Sequence, residues 1–68
     1  MTALESASDF DKAFIEQMIP HHQLAIMMAQ MLRSGTERPE MLELAENIIK
    51  SQSDEIEQMQ DWYQAWYR

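Results

Sequence analysis

The chain is short, acidic and free of cysteine. It has 68 residues, with 12 acidic and 5 basic side chains and a formal net charge of -7 at pH 7. A chain of this length forms one small domain at most, and without cysteine it forms neither a disulfide nor a thiolate metal cluster. The charge and the lack of a Lys/Arg cluster predict no binding to nucleic acid. No apolar run approaches the roughly 20 residues needed to span a bilayer.

The apolar content is high for so small a domain. Hydrophobic residues make up 46% of the chain, although a small domain has much surface for its volume. Domains of this size usually gain stability from a disulfide, a metal ion or a partner subunit. With the disulfide excluded, self-association remains, or a site built from His, Met and carboxylates. We interpret the excess apolar area as a surface for another subunit, which predicts a homo-oligomer.

Two long helices are predicted, with one break between them. Asp9 is a suitable N-cap for the first helix. Gly35, the single glycine, suits the C′ position after that helix, and Pro39 suits the first turn of a new one. The predicted segments are an unpatterned stretch 1–8, a helix 9–34, a loop 35–38 and a helix 39–67. A loop this short forces the two helices to lie antiparallel as a hairpin.

Each predicted helix carries an apolar stripe at 100° per residue. The stripe of the first helix consists of Phe10, Phe14, Met18, His21, Ala25, Met28 and Leu32, widened on one side by Ile15, His22, Ile26 and Ala29. The seam of the second helix consists of Met41, Ala45, Ile48, Gln52, Glu55 or Ile56, Met59, Trp62 or Tyr63, and Trp66. The first stripe is too wide for one partner helix. The sequence therefore predicts an all-α fold, an antiparallel two-helix hairpin that dimerises into a four-helix bundle.

The two histidines of the chain are adjacent and lie inside the first helix. His21 and His22 follow Pro20, and a proline within a helix removes one hydrogen bond and crowds the preceding turn. A kink with a free carbonyl is expected there. Relative to Met18, the two histidines lie on either side of the same face, so both border the predicted core.

The predicted register places polar residues of the second helix beside this segment. A hairpin that turns about Thr36 brings Gln52 level with the histidine pair. The same register brings Glu55 or Asp54 level with Met18, and it sets Phe10 and Phe14 against Trp62 and Met59 as an aromatic plug at the open end. Because Gln52 and Glu55 are the only polar residues on the second seam, one interpretation is a buried polar layer that fixes register and oligomeric state.

The other interpretation is a metal site. Thioethers favour Cu(I), and imidazole accepts Cu(I), Cu(II) or Zn(II). His21 or His22 with Met18 one turn earlier, and Met28 two turns after His21, would give a mixed set of nitrogen and sulfur ligands. Adjacent histidines diverge by 100°, so one helix does not offer both to one ion, whereas two apposed hairpins would assemble a multi-histidine site at their axis. The chain lacks a Ser/His/Asp set, a cysteine and a Gly-rich loop, which predicts a protein that is not an enzyme.

The chain resembles domain-of-unknown-function family 305 over almost its whole length beyond the first eight residues. The resemblance is carried by the block Met18-Ile19-Pro20-His21-His22-Gln23 and by the later residues Gln52, Glu55, Ile56, Met59 and Trp62. It implies a ferritin-like helical hairpin or bundle of bacterial origin, often exported or membrane-tethered, with some relatives that are periplasmic copper-binding proteins. The ligand candidates that it implies are Met18, His21, His22, Met27, Met28 and Met59.

Two functions are therefore expected. The first is a non-enzymatic copper-binding domain, extracytoplasmic by resemblance, with Gln52 and Glu55 supporting the metal ligands. The second is a structural oligomerisation or partner-binding module. In that case His21 and His22 form a buried polar layer and the Met-rich face is an adaptable interface.

Overall fold

The computed structural model describes the backbone of residues 7–67 and the side chains of residues 9–67. It contains two α-helices, α1 over Ala7–Gly35 and α2 over Pro39–Trp66, packed as an antiparallel hairpin. The all-α hairpin fold is thus confirmed. Helix α1 runs through Pro20 without a break. Of the unpatterned stretch 1–8, residues 1–6 lie outside the described part of the chain.

The connection between the helices is tight and differs from the prediction in one respect. Gly35 is the last residue of α1 and has no positive φ, so it is not a left-handed C′ residue. The helix does not need one, because the Thr36 N–H donates to the Leu32 carbonyl at 2.9 Å. The Arg38 N–H then donates to the Thr36 hydroxyl at 3.1 Å, and Pro39 begins α2 as predicted.

The N-cap prediction was also wrong. Helix α1 has already begun at Ala7, and Asp9 lies in its first turn. A carboxylate in the first turn still interacts favourably with the positive end of the helix dipole, so the residue keeps a stabilising position without acting as the cap.

The core is a narrow seam between the two helices. Among the described residues, the buried side chains are Ile15, His22, Ala29, Ala45 and Met59. The face of α1 that meets α2 is therefore centred on the Ile15, His22 and Ala29 side of the predicted stripe. The other half of the stripe, which includes Phe10, Phe14, His21 and Met28, is exposed. A single partner helix covers only one side of so wide a stripe.

The register differs from the predicted one. His22 lies opposite Glu55, whereas a turn about Thr36 placed it opposite Gln52. The connection is centred between Gly35 and Pro39, slightly beyond Thr36. In addition, helical side chains lean towards the N-terminus of their own helix. In antiparallel helices these leans point in opposite directions, so a residue of α1 meets a residue of α2 that lies farther from the loop.

The open end of the hairpin is held by a polar contact beside stacked aromatic rings. The Tyr63 hydroxyl donates to the Glu16 carboxylate at 2.5 Å, linking α1 to α2. The stacks lie within each helix, Phe10 on Phe14 and Trp62 on Trp66, at ring-centroid distances of 6.5 and 5.5 Å. All four rings are exposed. They therefore form an apolar surface instead of the closed plug predicted from the register.

The hairpin is one helix thick. Its extents are 48 × 24 × 14 Å, and a helix with its side chains is about 10–12 Å wide. Such a layer has two broad faces and buries side chains only along the line where the helices meet. Neither helix is long and apolar enough to cross a membrane.

Candidate metal centre

A groove of about 500 Å³ opens between the two helices in the half of the hairpin away from the loop. Helix α1 lines it at a spacing of one turn, with Phe14, Met18 and His22. Helix α2 lines it from the other side at a spacing of four and three, and its residues there are Glu55, Met59 and Trp62. The groove therefore collects one imidazole, two thioethers and two carboxylates, those of Asp11 and Glu55, between aromatic walls.

His22 is the most constrained polar side chain of the groove. It is 8% exposed, and its Nε2 atom lies 2.6 Å from Oε1 of Glu55. Because an ionised carboxylate only accepts hydrogen bonds, Nε2 carries the proton and donates it to Glu55. The Glu55 side chain is 56% exposed, so this pair spans the boundary between the seam and solvent.

The other ring nitrogen of His22 has no partner among the described residues. Nδ1 is buried and accepts or donates no hydrogen bond within that part of the chain, and leaving a buried polar atom unsatisfied costs about 1–3 kcal/mol. The neutral tautomer with its proton on Nε2 would present a lone pair at Nδ1. A carboxylate that fixes the tautomer while the second nitrogen stays available is the arrangement in which histidine ligates a metal.

The two methionines of the groove supply soft donors from opposite helices. Met59 is buried at 8% exposure, and Met18 is half-buried. Thioether sulfur binds Cu(I) in preference to harder divalent ions. Within residues 9–67, no three His, Cys, Asp or Glu side chains lie close enough to share a metal ion. The His22, Met18 and Met59 set has the donor types that suit a soft cation.

The remaining predicted ligands lie elsewhere. His21, Met27 and Met28 are exposed and do not line the groove. The expectation that both histidines border the core was wrong for His21, because the seam is centred on His22 and neighbouring residues diverge by 100°. Gln52 is half-buried nearer the loop, on the side of Glu55 away from Met59. A role of these residues in metal binding stays a prediction.

Sequence reasoning did not include the aromatic walls in the site. Phe14 and Trp62 line the same groove as His22, but they were interpreted only as packing at the open end. The signal that locates them is the spacing, since Phe14, Met18 and His22 recur every four residues along one side of α1.

Comparison with known proteins identifies the family of this chain. Residues 1–63 match DUF305, a family described as a domain of unknown function. The chain belongs to the DUF305 family. The family resemblance found in the sequence is therefore confirmed.

Several relatives of this DUF305 chain are longer than it is. The uncharacterized protein L153 of Acanthamoeba polyphaga mimivirus is 43% identical over 49 residues, which are 72% of this chain and 32% of that protein. Solved structures of CopM superpose closely. The Cu(I)-bound form has 61% identity and a TM-score of 0.86, and the match covers 97% of this chain and 47% of CopM.

Other CopM structures give the same result. The Cu(II)-bound form has 62% identity and a TM-score of 0.85 over 96% of this chain and 49% of CopM. A silver-bound form has 59% identity and a TM-score of 0.87 over 100% of this chain and 50% of CopM. The DUF305 hairpin thus spans about half the length of CopM and about a third of the viral protein.

Proposed function

We propose that this domain is a non-enzymatic copper-binding module that holds Cu(I) in the groove between its helices. The residues assigned to the ion are His22 through Nδ1 and the thioethers of Met18 and Met59, with Glu55 orienting the imidazole. The observation that carries the proposal is that His22, whose buried Nδ1 has no hydrogen-bond partner among the described residues, lines a groove that two thioethers also line.

Two further observations support the metal class. CopM, a close match in sequence and structure, has been crystallised with Cu(I), Cu(II) and silver, and silver shares the preference of Cu(I) for soft donors. The net charge of -7 favours the approach of a cation to the surface. An extracytoplasmic location, as the family resemblance implies, and the pairing of two hairpins into a four-helix bundle belong to the same proposal.

Competition for Cu(I) tests the site. The protein is titrated under reducing conditions against a chromophoric Cu(I) chelator, and the retained affinity is compared among variants. We expect H22A, M18L and M59L each to weaken Cu(I) binding about tenfold or more, because each removes one donor. Leucine replaces methionine with little change in volume, so the two thioether variants test the sulfur atoms and not the packing.

The matched control is M31L, which removes an exposed thioether outside the groove. It should bind Cu(I) as the wild type does. Unchanged affinity in H22A, or equal losses in M31L and M18L, would overturn the assignment of the groove.

A second candidate function is favoured by the bond between His22 and Glu55. In that case the pair is a polar layer that fixes the register of the hairpin, and no metal is involved. Urea unfolding of the metal-free protein separates the two functions. If the pair is only a structural layer, E55Q should destabilise the protein by about 1 kcal/mol or more. In that case neither the wild type nor any of the variants should bind Cu(I) measurably. A copper site predicts that M18L loses Cu(I) affinity at nearly unchanged stability.

A further inference from the structure

The two aromatic walls of the groove lean in different directions. A helical side chain points towards the N-terminus of its own helix, so it covers the turn that precedes it. Phe14 comes one turn before Met18 on α1 and leans away from it, towards Phe10, on which it stacks at 6.5 Å. Trp62 comes three residues after Met59 on α2, so its indole ring leans back over that residue. Of the two walls, Trp62 is therefore the one that covers a proposed ligand.

The groove residues of α2 agree with this direction. Gln58 and Met59 lie four and three residues before Trp62, and all three line the groove. Residues at these spacings are neighbours on a helix surface, with Cβ atoms about 5–6 Å apart. Met59 is 8% exposed, whereas Trp62 is 41% exposed. Trp62 thus forms the outer layer of the groove at this point, and Met59 forms the inner one.

A second indole holds the ring of Trp62 in place. Trp66 stacks on Trp62 with an angle of 6° between the ring planes and 5.5 Å between the centroids. Because Trp66 lies one turn farther along α2, it packs against the face of Trp62 that is turned away from Met59. The opposite face of the Trp62 indole therefore remains open towards the groove.

The proposed ligands leave one side of a bound Cu(I) ion uncovered. His22, Met18 and Met59 supply three donor atoms, so a further direction around the ion is open to water or to a competing ligand. Among aromatic side chains, tryptophan attracts a cation most strongly, when the cation lies over the ring face within about 6 Å of the centroid. An indole over the ion would attract it and would also exclude water from the open side.

We infer that Trp62 is a specificity-determining residue of the groove, whose indole face covers the bound Cu(I) ion and favours it over Cu(II). The inference rests on the proposed function, because it requires an ion held by His22, Met18 and Met59. Cu(II) prefers nitrogen and oxygen ligands in a square-planar arrangement. The indole nitrogen donates a hydrogen bond and has no lone pair to offer, so the ring blocks one approach to the ion without giving Cu(II) a ligand.

Single-tryptophan variants test whether the ion reaches the ring. The chain has two tryptophans, so W66F emits only from Trp62 and W62F only from Trp66. Each variant is titrated with Ag(I), a soft ion that stays in one oxidation state, while the fluorescence is recorded. One equivalent should reduce the emission of W66F by about half or more, since the ion lies against the ring. The emission of W62F should change little, because Trp66 lies about 10 Å from Met59 along α2.

Competition against chelators of Cu(I) and of Cu(II) tests the selectivity. W62L should weaken Cu(I) binding about tenfold and should leave the Cu(II) affinity nearly unchanged. W62F keeps an aromatic face that attracts cations less strongly, so its Cu(I) affinity should lie between those of W62L and the wild type. W66F is the matched control: it preserves a ring that can stack on Trp62, and it should bind Cu(I) as the wild type does.

Three results would contradict the role of Trp62. They are an emission of W66F that Ag(I) leaves unchanged, a W62L variant that binds Cu(I) as tightly as the wild type, and equal losses of Cu(I) and Cu(II) affinity in W62L. The last result is also the one that a general loss of structure would give. A wild type without Cu(I) binding, or unchanged affinity in H22A, would end both proposals. Weaker Cu(I) binding in M18L together with an unaffected W62L would remove only the role of Trp62.

Discussion

At the scale of single residues, Gly35 lies in a conformation that does not require glycine. It ends α1 without a positive φ, and a Cβ atom added there would meet no atom within 4 Å. Glycine loses more backbone entropy on folding than any other residue. The position therefore lowers the stability of the helix without a compensating gain in geometry.

Replacing this glycine should stabilise the protein. We expect G35A to raise the free energy of unfolding by about 0.5–1 kcal/mol, because alanine restricts the unfolded chain and fits the folded backbone. Urea unfolding followed by circular dichroism measures the change. The neighbouring exposed S34A is the control and should give a smaller gain, since serine is already a better helix former than glycine. A loss of stability in G35A would mean that the residue adopts the left-handed conformation in solution.

At the scale of the helices, the bond between Tyr63 and Glu16 ties the open end of the hairpin. The Glu16 carboxylate that accepts this hydrogen bond raises the pKa of the Tyr63 phenol above its ordinary value of 10.0. A group whose pKa is higher in the folded state stabilises the fold while it is protonated. The stabilisation is therefore complete below about pH 10, and it is lost as the pH rises through the folded-state pKa.

The alkaline stability of the hairpin tests this contact. Between pH 9 and pH 11 we expect Y63F to lose less stability than the wild type, because its ring has no proton to release. E16Q should show the same reduced dependence on pH, and the double variant should add little to either single one. Urea midpoints measured across that range provide the comparison. Equal alkaline losses in the wild type and in Y63F would show that Tyr63 does not titrate against Glu16.

At the scale of the whole molecule, a hairpin one helix thick buries little of its apolar surface. The described core contains four hydrophobic side chains, Ile15, Ala29, Ala45 and Met59, and two of these are alanines. Apolar burial contributes about 25 cal/mol per Å², so a seam of this size leaves a single hairpin marginally stable. Covering the exposed face with a second copy adds apolar burial without any change in the chain.

The thermal stability should therefore depend on protein concentration. We expect the Tm of the metal-free wild type to fall by several degrees on a hundredfold dilution, because dissociation is linked to unfolding. Differential scanning fluorimetry or circular dichroism over that range measures the shift. M28E places a charge on the exposed half of the α1 stripe, so it serves as the control and should have a low Tm that does not vary with concentration. A wild-type Tm that is independent of concentration would contradict stabilisation by pairing.

The positions of the helices were predictable because they depend on neighbours in the sequence. Pro39 begins α2 as the sequence predicted, since proline at that position lacks only a hydrogen bond that the first turn never makes. His22 and Met18 also followed as candidates from residue chemistry, and Met59 followed from the family resemblance. Their grouping in one groove did not, because Met59 lies on a different helix.

The sequence alone determined the hairpin, the soft character of its donors and the presence of more apolar surface than two helices can bury. Only the tertiary structure decided which histidine is enclosed. His21 and His22 are the same residue type, and their side chains point 100° apart around the axis of α1. The seam with α2 is centred on the side of His22. That choice depends on the loop and on the opposite leans of side chains in antiparallel helices. These properties depend on how the two helices pack together, and the residue pattern of one helix alone does not determine them.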